Sequence, residues 1–223
     1  SVPEAMVEVD AEDNLEYFNF KTKPRAIGIG IGMGTDEKTA NGFYQFMQNN
    51  DIPTVFDADA LNLLAANQKM FEFFKPNQIL TPHPKELERL IGTWKNDYEK
   101  LEKLRDFTIK YPVVLVVKGM HTMTVQNGEF YFNSTGNVAL AKAGSGDVLT
   151  GIITGLLAQN YSTLHAAILG VYLHVLTANL FTTTNIPDTF MASEIINYLT
   201  SAYNVLLSDF EKDDDEDEDD FMY

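Results

Sequence analysis

No cysteine occurs among the 223 residues. That excludes a disulfide framework, thiol nucleophiles and thiolate metal sites. It also suits a reducing compartment, and a cytoplasmic location is the expectation. Basic residues are scarce, 16 against 32 acidic ones, for a net charge of −16. Half of that excess is one run, Asp213 to Asp220, eight consecutive acids, and setting it aside leaves −8 on the rest. A body that remains acidic does not meet a nucleic-acid backbone, which needs clustered Lys and Arg. Nucleotides stay possible, because a local cradle of backbone N–H groups can hold a phosphate whatever the overall charge. No continuous run of about 18 apolar residues is present, so no membrane span is expected. The opening residues lack the charged-then-apolar pattern of a signal peptide. Tryptophan occurs once, at Trp94, and the Phe and Tyr residues read as core builders.

What is present is a hydrophobic share of 45% in a length that suits one domain. Strand-like and helix-like patterns alternate. "RAIGIGIGMG" (25–34) reads as a buried strand ending in a glycine turn, with Thr35 placed to cap a helix over 37–49. "PTVFDADALNLLA" (53–65) and "QILTPHPKELERLIG" (78–92) each read as strand, polar turn and helix. A helix over 97–111 leads into "PVVLVVKG" (112–119), continuous and β-branched like a strand covered on both faces. "HTMTVQNGEFYFNSTG" (121–136) alternates around Asn127-Gly128, a hairpin signal. Three helices are expected after it, over 147–159, 163–182 and 191–210. The whole predicts an α/β protein, a mainly parallel central sheet flanked by helices, as a single domain over 1–210 with an acidic disordered tail over 211–223. The opening "SVPEAMVEVDAED" has no evident leading strand, which fits either a short domain or a fragment whose first part is missing.

In parallel sheets ligands collect at the carboxyl ends of the strands. The unusual turns all fall there: 30–34, Asp57-Ala58-Asp59, Thr81-Pro82-His83, Lys118-Gly119 and Gly144-Ser145-Gly146-Asp147. In the last, glycines allow close approach and a helix N-terminus adds partial positive charge, a site for phosphate or developing negative charge. Asp147 then has two readings. It completes the helix dipole as a first-turn acid, or it faces an attacking hydroxyl beside the anion hole formed by Gly144 and Gly146. Glu86, three residues after His83, can hold Mg²⁺ near phosphates or simply cap a helix. Asp57, Asp59 and Asn62 can meet ribose hydroxyls or a metal, or serve as turn and cap residues. Lys118 ends the best strand, where it meets phosphates or solvent. His165 and His174 read as packing or surface residues.

Taken in order, "GIGMG", "DADALNLL", "LTPHPKELERLIG", "VVKGMHT", "NSTGN" and "AGSGDVLTGIITGLLAQ" resemble the ADP/ATP-dependent NAD(P)H-hydrate dehydratases, of the ribokinase-like superfamily. The resemblance runs from about residue 3 to about 178 and implies a ribokinase-like three-layer sandwich, here lacking the first strand and helix that the family carries. It implies repair of a damaged cofactor: dehydration of the S form of hydrated NADH or NADPH, with ADP or ATP as phosphoryl donor and Mg²⁺ as metal. It assigns Asp147 to the reacting hydroxyl and Gly144 and Gly146 to the anion hole, with Ser145 where threonine is usual. His83 and Gly32, with Asp147, Asp59 and Asn62, fall to the hydrated cofactor. Lys118, Gly119, Met120, His121 and Thr122, with Ser145 and Gly146, fall to the adenine nucleotide. It also implies a homo-oligomer, tetrameric in many members, and an epimerase partner that is fused or separate. Two other readings remain: a small-alcohol or vitamin kinase of the same superfamily, and a nucleotide-binding piece without turnover.

Overall fold

The computed structural model describes Ala5, Phe18, Phe20 and residues 22–219, with side chains to residue 208. The expectation of no leading strand in residues 1–13 therefore lies outside the described residues, apart from Ala5, which is in neither helix nor strand.

Six strands form one sheet in chain order: β1 (Ile27–Ile29), β2 (Thr54–Phe56), β3 (Gln78–Leu80), β4 (Val114–Val117), β5 (Met123–Gln126) and β6 (Glu129–Phe132). β1 to β4 run parallel, and β5 and β6 turn back antiparallel. The turn between β5 and β6 is the expected one, with Asn127 at φ 53° and Gly128 at φ 77°. Parallel neighbours need crossovers, and helices supply them. α1 (Glu37–Asn49), α2 (Ala58–Ala66), α3 (Pro84–Ile91) and α4 (Asp97–Lys110) connect β1 to β4 in turn. α5 (Ser145–Ala158), α6 (Thr163–Thr182) and α7 (Ala192–Asp219) follow the hairpin.

The period of two along each strand separates two cores. Ile27, Ile29, Phe56, Leu80, Leu115 and Val117 face the α1–α4 layer, where Phe43, Leu64, Leu87 and Phe107 meet them. Val55, Ile79, Val114 and Val116 face the other way, against Leu149, Ile153 and Leu157 of α5 and Ala166, Ala167 and Val171 of α6. Every residue of β4 is buried, as a strand covered on both faces must be. A third cluster, with Phe181, Phe190 and Ile195, holds α7 onto α6.

Four details differ from the sequence reading. Asp36, not Thr35, caps α1: its carboxylate accepts from the N–H groups of Lys38 and Thr39, and two acceptor oxygens serve the cap better than a hydroxyl one residue too early. α5 begins at Ser145, so the glycine turn is itself the first helical turn. The backbone of α7 is helical to Asp219, through most of the acidic run expected to lack order; no Gly or Pro follows Ala192 to stop the helix. Finally, α6 is 20 residues long with mean hydropathy 1.5, enough by length and composition to cross a membrane. Ten of its 20 residues are buried, against the sheet, α5 and α7, which accounts for its apolar composition as that of a core helix.

Candidate active site at the start of α5

The carboxyl ends of the parallel strands open into a cleft of about 700 Å³. Its floor is the start of α5. Helices α1, α2, α3, α4 and α6 each carry a side-chain cap, whereas α5 is preceded by Gly144 with no capping side chain. Gly144 sits at φ 83°, a left-handed conformation that glycine adopts without strain. The N–H groups of Gly146 and Asp147 make no hydrogen bond with the described residues. A helix start left open in this way offers unsatisfied donors and the positive end of a dipole to an anion.

Three strand ends converge on that point. Asp57, at the end of β2, is 2% exposed. Its Oδ1 accepts from the Lys118 ammonium at 2.7 Å and from the Ala58 N–H at 2.9 Å, and its Oδ2 accepts from the Thr150 hydroxyl at 2.9 Å. Lys118, at the end of β4, is anchored by its own N–H donating to the Pro82 carbonyl at 2.9 Å. Its ammonium lies 3.3 Å from where a side chain on Gly146 would begin, so the charge stands directly over the open helix turn. The turn after β1 is welded to the same place. Gly30, at φ 117°, would drive a Cβ to 1.9 Å from the Asp57 carbonyl oxygen, so no other residue fits.

His83 and Glu86 stand on the wall. They form a reciprocal cap at the start of α3: His83 Nδ1 accepts from the N–H groups of Lys85 and Glu86, and the His83 N–H donates to Glu86 Oε2 at 2.8 Å. An accepting Nδ1 places the proton of the neutral ring on Nε2, which lies 3.4 Å from Glu86 Oε1. On the opposite side His174 of α6 is buried, with Nε2 3.0 Å from the Ser145 carbonyl oxygen and 3.1 Å from its hydroxyl. A carbonyl only accepts, so this ring donates there and secures the first residue of α5. Burial, reinforced by the Lys118 charge and opposed by the Ser145 carbonyl, pushes the His174 pKa down to about 4. The ring is neutral at pH 7.

The cleft thus gathers His83, Glu86, Lys118, Gly119, Met120, Thr122, Ser145, Gly146 and Asp147. Asp147 is exposed, and its carboxylate makes no hydrogen bond or ion pair with a described residue, so it is free to face a ligand. Gly144, Gly32, Asp59, Asn62 and His121 do not line it. Gly144 lies directly behind the helix start. Gly32 is in the turn after β1, the Asp59 carboxylate accepts from the Gly34 N–H at 2.9 Å, and the Asn62 side chain accepts from Arg89 at 2.6 Å. His121 is exposed in the loop after β4. Sequence reasoning missed the Asp57–Lys118 pair and the His174–Ser145 contact. The signals available were a carboxylate at a strand end level with Lys118, and an imidazole, His174, in the middle of a helix otherwise apolar enough to be buried, where a buried ring demands a partner.

Helices on both faces of a mainly parallel sheet, with an open helix start at its strand ends, make this a ribokinase-like α/β protein. A sequence profile described as NAD(P)H-hydrate dehydratase matches residues 1–201, and the chain belongs to that family. It is similar to the Bifunctional NAD(P)H-hydrate repair enzyme Nnr of Moorella thermoacetica, 40% identical over 151 residues, which are 66% of this chain and 28% of that protein. It is similar to the ADP-dependent (S)-NAD(P)H-hydrate dehydratase of Bacillus subtilis, 34% identical over 178 residues, 78% of this chain and 62% of that protein. The solved structure of the ADP/ATP-dependent NAD(P)H-hydrate dehydratase from Bacillus subtilis, co-crystallised with ATP/Mg²⁺, superposes with a TM-score of 0.71 at 32% identity, covering 83% of this chain and 66% of that one. The chain therefore spans less than two thirds of the length of these two curated relatives.

Proposed function

We propose that the chain catalyses the nucleotide-dependent dehydration of the S form of hydrated NADH or NADPH, restoring the reduced cofactor. The observation that carries this is the juxtaposition, in one cleft, of a helix start without a side-chain cap, the Lys118 ammonium and an Asp147 carboxylate with no partner among the described residues. The family membership narrows the acceptor to the ring hydroxyl of the hydrate.

Asp147 orients the ring hydroxyl and takes up its proton as the oxygen attacks the terminal phosphorus of ADP or ATP. The N–H groups of Gly146 and Asp147, the helix dipole and Lys118 receive the charge that develops on the transferred phosphoryl group. AMP or ADP departs, leaving a phosphate ester on the ring. The ring nitrogen lone pair then expels phosphate with the ring oxygen, and loss of a proton from the adjacent carbon restores the double bond. His83 and Gly32, with Asp59 and Asn62, are assigned to the dinucleotide, and the 118–122 loop with Ser145 to the adenine nucleotide.

Mg²⁺ fits this donor set. No cluster of three or more His, Cys, Asp or Glu stands ready for a metal among the described residues. A phosphate-bound Mg²⁺ needs only one or two carboxylates besides water and phosphate oxygens. Glu86 lines the cleft and is the carboxylate for such a role, with Oε2 accepting from the His83 N–H and Oε1 3.4 Å from His83 Nε2, so it would serve through the cap it shares with His83. When bound, the ion neutralises phosphate charge.

The test is to follow the reduced-nicotinamide absorbance band with hydrated NADH, Mg²⁺ and either ADP or ATP. A rise that needs nucleotide is expected, and the more effective nucleotide identifies the donor. A stoichiometric phosphorylated product with no rise would establish the small-alcohol kinase reading; nucleotide binding without any product would establish a binding module. Because the Moorella relative is described as bifunctional and is far longer than this chain, an epimerase, fused or separate, is proposed as the source of the S form. Hydrate of the R form should then be repaired only when such an activity is added. A homo-oligomer is also proposed on the family resemblance, and light scattering in solution separates a tetramer from a monomer.

A further inference from the structure

Asp57 is in the wrong geometry for an ordinary helix cap. A capping carboxylate accepts from the second or third N–H of its helix. Asp57 reaches only the first, that of Ala58, and directs its remaining capacity away from α2, to Lys118 on β4 and Thr150 on α5. The backbone around it is over-determined: Ala58 is held at φ 46°, unusual for a residue with a Cβ, and Gly30 is pressed against the Asp57 carbonyl. Strain of this kind persists where the surroundings fix a group for use. Nor is the pair well explained as a stabiliser, since a buried ion pair is often matched or bettered by apolar residues of the same size.

Lys118 supplies the reason. Its ammonium sits over Gly146 at the positive end of α5, where it is repelled by the helix dipole and where four rotatable bonds would let it swing to solvent. Asp57 holds it at 2.7 Å from below, and Thr150, on the same helix as the anion hole, fixes the other carboxylate oxygen. We propose that Asp57 is a positioning residue that holds the Lys118 ammonium, preoriented, over the open first turn of α5, so that a nucleotide phosphate meets lysine and helix N–H groups as one site. Asp57 touches no phosphate itself. This rests on the reading above that the nucleotide phosphates lie at the start of α5.

The test is a double-mutant cycle read by calorimetric binding of ADP, without any hydrated cofactor, in the full chain and in the variants D57N, K118M and D57N/K118M, with adenosine as a probe that lacks phosphate. Lys118→Met should weaken ADP binding about tenfold or more, the size of a lost charge-assisted hydrogen bond. Asp57→Asn should weaken it several-fold when Lys118 is present and not at all in the K118M background, while adenosine affinity stays the same throughout. A penalty for D57N equal in both backgrounds, or an ADP affinity that D57N leaves unchanged or raises, overturns the proposal and leaves the site reading intact. Wild-type chain that does not bind ADP at all overturns both. Should D57N fail to fold, Thr150→Val serves in its place: it keeps both charges but removes one tether of Asp57, and its smaller ADP penalty must likewise vanish with K118M.

Discussion

His174 makes the stability of this protein depend on pH in a way its composition would not suggest. The ring is buried in α6 and donates to the Ser145 carbonyl. Its pKa lies near 4 in the folded chain against an ordinary 6.5. As pH falls below 6.5 the unfolded chain binds this proton first, so the equilibrium is drawn toward unfolding. The contribution of the neutral ring is complete above pH 6.5 and is lost progressively down to about pH 4. At about 1.4 kcal/mol per unit of displacement the total is about 3 kcal/mol, a large part of a typical stability. His174→Gln keeps a donor of similar length but cannot titrate. Urea unfolding of both proteins across this range isolates the effect as the difference between their slopes with pH. Asp36 and Asp51, whose carboxyls are also held below the usual range, the first by the Thr39 N–H and the second by Lys75, contribute equally to both proteins and cancel. The expected result is a wild-type stability that falls toward pH 4 faster than that of the variant. Parallel slopes would refute the reasoning and mean that the folded protein accepts the proton on His174 without strain.

Asp147→Asn should lower turnover by about a hundredfold or more, the reach of a lost general base, with nucleotide affinity and melting temperature nearly unchanged, because the carboxylate is exposed and has no partner among the described residues. Equal losses of fold and binding would instead make Asp147 a dipole-completing acid. Gly30→Ala forces a Cβ to 1.9 Å from the Asp57 carbonyl at φ 117°, and should cost about 3 kcal/mol or more by denaturant midpoint; a cost under about 1 kcal/mol would mean the β1 turn is far softer than drawn. Ile153→Ala empties a fully buried position between α5 and the sheet and should cost about 2–5 kcal/mol in the same assay, with nucleotide affinity of the residual folded protein retained.

Much of the fold was legible because local rules and tertiary demands agree. The hairpin at Asn127-Gly128 needs left-handed residues and has them, and β4 is apolar on both faces because both faces are covered. Within the site, the turns at the strand ends were identifiable from glycine and polar clusters alone. What local pattern does not carry is partnership across the chain. Lys118 and Asp57 lie 61 residues apart and His174 and Ser145 lie 29 apart, and nothing near either residue names its partner. The same limit misplaced the α1 cap by one residue, where Thr35 and Asp36 are both competent and only the final path of the chain selects between them. By contrast, α6 spans the residues expected, 163–182: Thr, His and Asn interrupt its apolar run, yet ten of its 20 residues are buried.

The account holds that the ring oxygen of the hydrated cofactor leaves as part of phosphate, after Asp147 and the start of α5 have directed a phosphoryl group onto it. The most direct measurement is isotopic: hydrate NADH in oxygen-18 water, allow the chain to repair it with ADP or ATP, and analyse the released inorganic phosphate by mass spectrometry. The account predicts one oxygen-18 atom in the phosphate for each NADH recovered. NADH recovered with unlabelled phosphate, the heavy oxygen passing to water, would contradict it.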